Sequence, residues 1–415
     1  MAERSARQLA LAALTAWRTG RDFADSIIQR LLGESTLGGS DRGFATELFY
    51  GVLRNLTLLD FWIAQLRSGA LDHASRDLLR IGLYQLFCLR TPSHAAVNET
   101  VELAGHRNRS LINAVLRTAV RRLDELQRKA NAEDLATRAS HPEFLIARWT
   151  ATFGSDAAQT LCDWNNQPAP VYARINALRT SAEEFFAGNT TAEPLPGKGN
   201  FVRVAAFPSD ALQKGNCYIQ DPSTATACEL LDPQPGESVL DACASPGGKS
   251  GLIAELMQNR GELTAVDRDA ARVEVLRCNL ERLGVSIARV IRHDWRSQAA
   301  VERHFGAFDR ILIDAPCTNT GVMRRRVDLR WRLQPGDFAR MPDEQVAITR
   351  AVIPLLKAGG RLVYSTCSLE PEENAQVVEQ IVAAFPFMQL EETRSVLPFW
   401  DQFDGAYAAR FLRTA

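Results

Sequence analysis

The chain has 415 residues, of which 46% are hydrophobic and 23% charged, and its formal net charge is −1. That composition excludes disordered, collagen-like and small disulfide-stapled classes, and the length implies roughly two to four domains. Near-neutral charge means that any nucleic-acid footprint must be local.

Lysine is confined to Lys129, Lys198, Lys214, Lys249 and Lys357, so arginine carries nearly all the positive charge. That bias suits phosphate recognition but also follows from codon usage. The 8 cysteines form no CxxC pair, and none of the 6 histidines stands at metal-ligand spacing from one, so no metal is expected. The N-terminus lacks an apolar signal core, and no run approaches the ~20 residues of a membrane span. A soluble cytoplasmic chain with free thiols and no membrane partner is expected.

From Ser5 to about Leu126 apolar residues recur at helical spacing: Leu9, Ala13, Leu14 and Trp17, then Phe23, Ile27, Ile28 and Leu31. Phe44, Leu48, Val52 and Leu56 follow Ser40, the expected N-cap, and Leu79, Leu83, Leu86 and Phe87 continue the series. An all-α domain over residues 1–130 is the expectation. Arg107, Arg109, Arg117, Arg121, Arg122, Arg128 and Lys129 in its last third form either a solvated face or an RNA contact.

Between 139 and 230 shorter segments predict a small α+β module. Val171–Ile175 and Phe201–Val204 read as strands, and Ser181–Phe186 as a short helix. From 231 to 415 strand and helix alternate, with strands at Ser238–Ala242, Leu263–Val266, Ala288–Ile291, Arg310–Ile313 and Arg361–Tyr364 and helices at Ala270–Leu283 and Asp343–Leu356. Alternation predicts an α/β Rossmann-like domain whose ligands lie beyond the carboxyl ends of parallel strands.

The first of these strands runs into Asp241-Ala-Cys243-Ala244-Ser245-Pro246-Gly247-Gly248-Lys249-Ser250. A Walker loop needs glycine where Cys243 stands, and adjacent glycines do not make G-x-G-x-x-G. An S-adenosylmethionine-type loop remains. Asp241, Asp267 and Asp294 stand at successive strand ends; each alone could be a helix cap, but together with the glycines they point to a nucleoside cofactor.

Asp314-Ala-Pro-Cys317 and Ser365-Thr-Cys367-Ser368 follow the fourth and fifth strands. Two cysteines converging beside a cofactor loop suit methylation at cytosine C5, where a thiolate adding at C6 makes C5 nucleophilic. Asp314 is placed to stabilise such an adduct. Arg324-Arg325-Arg326, with Arg330, Trp331 and Arg332, forms either a solvated surface or, as the favoured reading, an RNA-contacting loop, and Arg174 in Arg174-Ile-Asn176 belongs either to a plain joining strand or to a segment that positions RNA.

These motifs resemble the RNA 5-methylcytosine methyltransferases. With the N-terminal segment around Ser110–Arg117, which resembles the NusB-like RNA-binding domain, the chain looks like the RsmB (Sun) family. The resemblance implies Cys367 as nucleophile and Cys317 in product release. It also implies an S-adenosylmethionine site of Cys243, Ala244, Ser245, Pro246, Gly247, Gly248, Lys249, Asp267, Asp294 and Asp314. The substrate it implies is small-subunit ribosomal RNA, free or partly assembled, acted on by a monomer. The alternatives are the same chemistry on transfer RNA and a non-catalytic RNA-binding or antitermination factor. A nicotinamide dehydrogenase is disfavoured by the missing fingerprint.

Overall fold

A computed structural model describes residues 4–89, 91–297 and 305–414. The chain divides into two compact units: Met1–Pro168 with Met323–Arg332, and Ala169–Val322 with Leu333–Ala415. Among the described residues no helix is long and apolar enough to cross a membrane.

The first unit is helical throughout. Its opening helix, Ala6–Thr19, starts from a capping box in which Ser5 and Gln8 satisfy each other's backbone N–H groups, and it buries Leu9, Ala10, Ala13 and Leu14. Ser40 was expected to cap the third helix but lies inside Gly39–Arg54, whose cap is Gly38. Nothing at Gly38–Gly39 stops the helix from beginning upstream. His73–Phe87 is buried on nearly every side. It therefore carries its charges in pairs: Arg80 reaches Asp60 at 2.6 Å and Asp77 at 2.9 Å, and Arg18 also meets Asp77 at 3.2 Å. Arg107, Arg109, Arg117, Arg121 and Arg128 are exposed.

The return segment Met323–Arg332 corrects the reading of the arginine loop. Arg330 is 0% exposed, and its guanidinium donates to Asn166 Oδ1 at 2.7 Å, Asn165 O at 3.1 Å and Ser140 O at 3.3 Å. Arg324 is also buried; it donates to Pro168 O at 2.7 Å and Gln167 O at 3.2 Å and lies 4.0 Å over the Trp164 ring. Trp331 Nε1 donates to Leu53 O at 2.8 Å, and Val327 joins the helical core. Forked donors matched to backbone carbonyls hold these arginines in the interior rather than on an RNA-facing surface. Arg325 is half-buried and Arg326 exposed.

The second unit contains two sheets. The smaller is antiparallel, ordered β2-β3-β1-β4 from β1 (Val171–Ile175), β2 (Ala192–Pro194), β3 (Phe201–Val204) and β4 (Cys217–Ile219). Ala182–Gly188 is capped by Ser181 and Glu184 in a second capping box. The larger sheet is ordered β10-β11-β9-β8-β5-β6-β7. Its strands are β5 (Ser238–Asp241), β6 (Glu262–Asp267), β7 (Ala288–Arg292), β8 (Phe308–Asp314), β9 (Leu356–Thr366), β10 (Met388–Val396) and β11 (Ala406–Arg413). Strands β5 to β9 pair in parallel, while β11 runs antiparallel to both β9 and β10.

Arg174 is corrected in the same way as the loop arginines. It is 1% exposed, bonds Gln220 Oε1 at 3.0 Å and Gly248 O at 3.2 Å, and forms an ion pair with Glu255. It supports the loop after β5 from beneath instead of meeting RNA.

Candidate active site

Parallel pairing sets the carboxyl ends of β9, β8, β5, β6 and β7 along one edge, in that spatial order. The structure therefore brings into one row Cys367, Asp314 with Cys317, the Asp241–Lys249 loop, Asp267 and Asp294. Such an edge is where ligands of open α/β sheets sit.

Gly247, at φ +106°, turns the chain into the helix Gly248–Leu256. A Cβ on Gly248 would lie 2.8 Å from Tyr218 Cε1, so glycine lets the loop pack closely on β4. The loop is pinned from outside as well. Asn279 Nδ2 donates to Pro246 O at 2.8 Å, and Ser245 and Arg272 exchange bonds at 3.1 Å. Ala244 is buried. Trp295 Nε1 donates to Ala242 O at 2.7 Å and so ties the segment after β7 to the loop after β5.

Four carboxylates gather around this loop, and three of them are ion-paired. Asp241 is fully buried; its Oδ2 accepts from Ser250 Oγ at 2.6 Å, while Oδ1 meets no donor of full hydrogen-bond geometry among the described residues. Burial pushes its pKa up to about 7 against the lowering bond from Ser250. Burial likewise raises the Cys243 thiol well above its usual range, and Asp241, Asp314 and Asp267 add to the effect. Asp267 is 5% exposed and faces Arg272 at 3.3 Å. Asp294 is paired with Arg296 at 2.6 Å, which holds its carboxyl down at about 2. Lys249 points across the edge to Asp314 Oδ2 at 2.8 Å. Burial would lower the lysine pKa, but the ion pair outweighs it and the ammonium form is kept.

At the neighbouring strand ends the two sulfurs of Cys317 and Cys367 lie 3.4 Å apart. Cys367 Sγ also donates to Asn319 Oδ1 at 3.1 Å, and Asn319 Nδ2 donates to Cys317 O at 2.6 Å. The hydrogen bond that Cys317 makes to the Cys367 sulfur, then burial, pushes the Cys317 thiol well up. A thiol held neutral is a poor nucleophile, so the geometry favours Cys367 over Cys317 for attack. Asp314 Oδ1 accepts from Ser365 Oγ at 3.0 Å, so Ser365 and Lys249 together fix the carboxylate beside the thiols. Sequence reasoning missed Asn319 and Glu373. Asn319 lies two residues past Cys317, inside the segment already under suspicion. Glu373, six past Cys367, sits in a run of charge with no periodicity to mark it as buried.

The family described as 16S rRNA methyltransferase RsmB/F matches residues 228–411. The NusB family matches residues 4–121, and the ferredoxin-like domain of RsmF/B-like methyltransferases residues 141–188. A probable ribosomal RNA small subunit methyltransferase B of Bacillus subtilis is 33% identical, covering 93% of this chain and 90% of its own length. Ribosomal RNA small subunit methyltransferase B of Serratia proteamaculans is 35% identical, covering 92% of both chains. Among solved structures, a methyltransferase homolog protein from Pyrococcus horikoshii is 27% identical at a TM-score of 0.59, covering 67% of this chain and 97% of its own.

Proposed function

The chain belongs to the RsmB family of small-subunit ribosomal RNA methyltransferases, and from that membership we propose that it forms 5-methylcytosine through a covalent cysteine adduct. The methyl donor is S-adenosylmethionine, which supplies an electrophilic methyl group. The residues present fit that donor. Two glycines open a helix N-terminus, Asp241 holds a buried oxygen without a full donor among the described residues, and the carboxylates of Asp267 and Asp314 stand at the flanking strand ends to accept from a ligand's hydroxyl and amino groups. Asp267 would take the ribose hydroxyls, and Asp294 the adenine edge once Arg296 yields.

The observation that carries the C5 reading is the pair of sulfurs 3.4 Å apart beside Asp314. In this reading the target cytosine leaves its stack to enter the site. Cys367 gives up its thiol proton, which passes to N3 of the base, its sulfur bonds to C6, and the displaced electron pair gives C5 the nucleophilic character of an enamine. Asp314, steadied by Lys249 and Ser365, hydrogen-bonds N3 or the exocyclic amine and stabilises the adduct. After C5 takes the methyl group, the C5 proton leaves with help from Cys317, which either accepts it once its own thiol has ionised or, as the neutral thiol, orients the water that takes it. The C6–sulfur bond then breaks and its electron pair returns to Cys367. Exposed Arg326 and the surface arginines of the first unit are proposed to meet RNA phosphate.

Purified protein with isotope-labelled S-adenosylmethionine, tested on small-subunit RNA, assembled subunits and transfer RNA, checks the reading. Nucleoside mass spectrometry should find labelled 5-methylcytidine in the ribosomal samples. Label on another nucleoside overturns the C5 assignment, and label confined to transfer RNA overturns the substrate.

A further inference from the structure

Glu373 ends the turn Pro371–Glu373, within Glu370-Pro-Glu-Glu373, a sequence that reads as exposed charge. The structure makes it 0% exposed. Its Oε1 accepts from Thr318 Oγ1 and from Ser368 Oγ at 2.7 Å; its Oε2 accepts from Thr318 N and Gln345 Nε2, both at 2.9 Å. Thr318 follows Cys317 directly, and Ser368 follows Cys367. Gln345 also donates to Pro316 O at 2.9 Å, on the other side of Cys317. The backbone carbonyl of Glu373 accepts from the Tyr364 hydroxyl at 2.6 Å, fixing the same residue to β9 just before the cysteine motif. All four donors to the carboxylate are neutral. A buried carboxylate held by neutral donors alone is unfavourable beside an apolar residue of similar size. What sets this one apart is what its bonds join.

We propose that Glu373 is the positioning residue of the thiol pair: its carboxylate clamps the Cys317 loop to the Cys367 loop and so sets the sulfur-to-sulfur contact. The functional weight of that contact rests on the cysteine roles proposed above. A carboxylate can accept from all four donors at once, whereas an amide of the same shape turns one end into a donor. The clamp also places negative charge on the Cys317 side, adding to the Cys367 hydrogen bond and the burial that keep that thiol neutral.

Full-length Glu373→Gln and Glu373→Asp test this against the wild type. S-adenosylmethionine affinity, by calorimetry, should stay within about twofold while kcat falls by about tenfold or more with little change in KM for RNA. Iodoacetamide alkylation across pH, read for each cysteine peptide by mass spectrometry, should show Cys317 reacting at lower pH in Glu373→Gln. Glu373→Asp keeps the charge but not the reach, so it should lose rate without that pH shift. A wild-type kcat and an unmoved alkylation profile in Glu373→Gln overturn the proposal. Alkylation needs no RNA, so a shifted profile in an enzyme found to methylate another base leaves the clamp standing and removes only the cytosine reading. If Glu373→Gln does not fold, Thr318→Val and Ser368→Ala each remove one hydroxyl donor from the clamp. Each should lower kcat several-fold with cofactor affinity kept, and wild-type kcat in both overturns the clamp.

Discussion

Asp241 is a single residue whose placement trades stability for a cofactor site. An unfolded aspartate titrates near pH 3.9, whereas burial raises this one to about 7. Between those values the folded state keeps a proton that the unfolded state has released. Stability from this group is therefore full below about pH 4, falls as pH rises towards 7, and stays reduced above it. Asp241→Asn should raise the melting temperature at pH 8, with a smaller gain at pH 5, while weakening S-adenosylmethionine binding. Thermal unfolding at both pH values checks this, and an equal gain at both would contradict the titration. At this scale Asp241, Asp314, Cys317 and Cys367 are legible in the sequence because each sits at a fixed place after an apolar strand. Asn319 and Glu373 are not, because their meaning comes from partners about fifty residues away in the chain.

Among the elements, the loops after β8 and β9 depend on an unusually close backbone approach. Gly321 N donates to Cys367 O at 2.9 Å, and Gly405 N donates to Gly321 O at 2.8 Å. A Cβ on Gly321 would lie 2.7 Å from both Cys367 O and Gly405 Cα, which are backbone atoms with little freedom to yield. Gly321→Ala should lower unfolding free energy by about 1–3 kcal/mol, the range for overpacking, and displace the Cys367 carbonyl. Denaturant unfolding and the methylation rate measure the two effects, and unchanged values for both would mean that the loops can separate freely. The parallel strands and their helices are readable from alternation, since buried strands are short apolar runs. The β10–β11 pair is not, because β10 is exposed at six of its nine positions and carries Glu391, Glu392 and Arg394 where an apolar period would be sought.

For the whole molecule, the notable feature is that the chain leaves the second unit at Met323 and returns at Leu333. A fragment beginning at residue 169 would leave Val327 and Trp331 without the helical residues they pack or bond to. It is thus not a clean catalytic domain, although the sequence alone suggests a simple cut near residue 140. Arg330 is the sharpest probe of this segment. Burial lowers its pKa to about 9, and its donors satisfy Ser140 O, Asn165 O and Asn166 Oδ1. Arg330→Ala should reduce stability by about 3 kcal/mol through the acceptors left unpaired, and Arg330→Lys should not restore it, because an ammonium cannot fork to them. Chemical unfolding reads this. Unchanged stability with weakened RNA binding would return Arg330 to the surface role that its charge suggests. Charge patterning misleads here because a guanidinium matched to backbone carbonyls looks, in sequence, the same as one facing solvent.

The covalent step through Cys367 is tested most directly on a denaturing gel with labelled small-subunit RNA, S-adenosylmethionine and three variants. Cys317→Ala should attack and methylate but fail to release, giving a retarded band that protease removes. Cys367→Ala and the double variant should give no such band. A protease-sensitive band with Cys367→Ala would reverse the two roles, and none with Cys317→Ala would contradict the covalent mechanism.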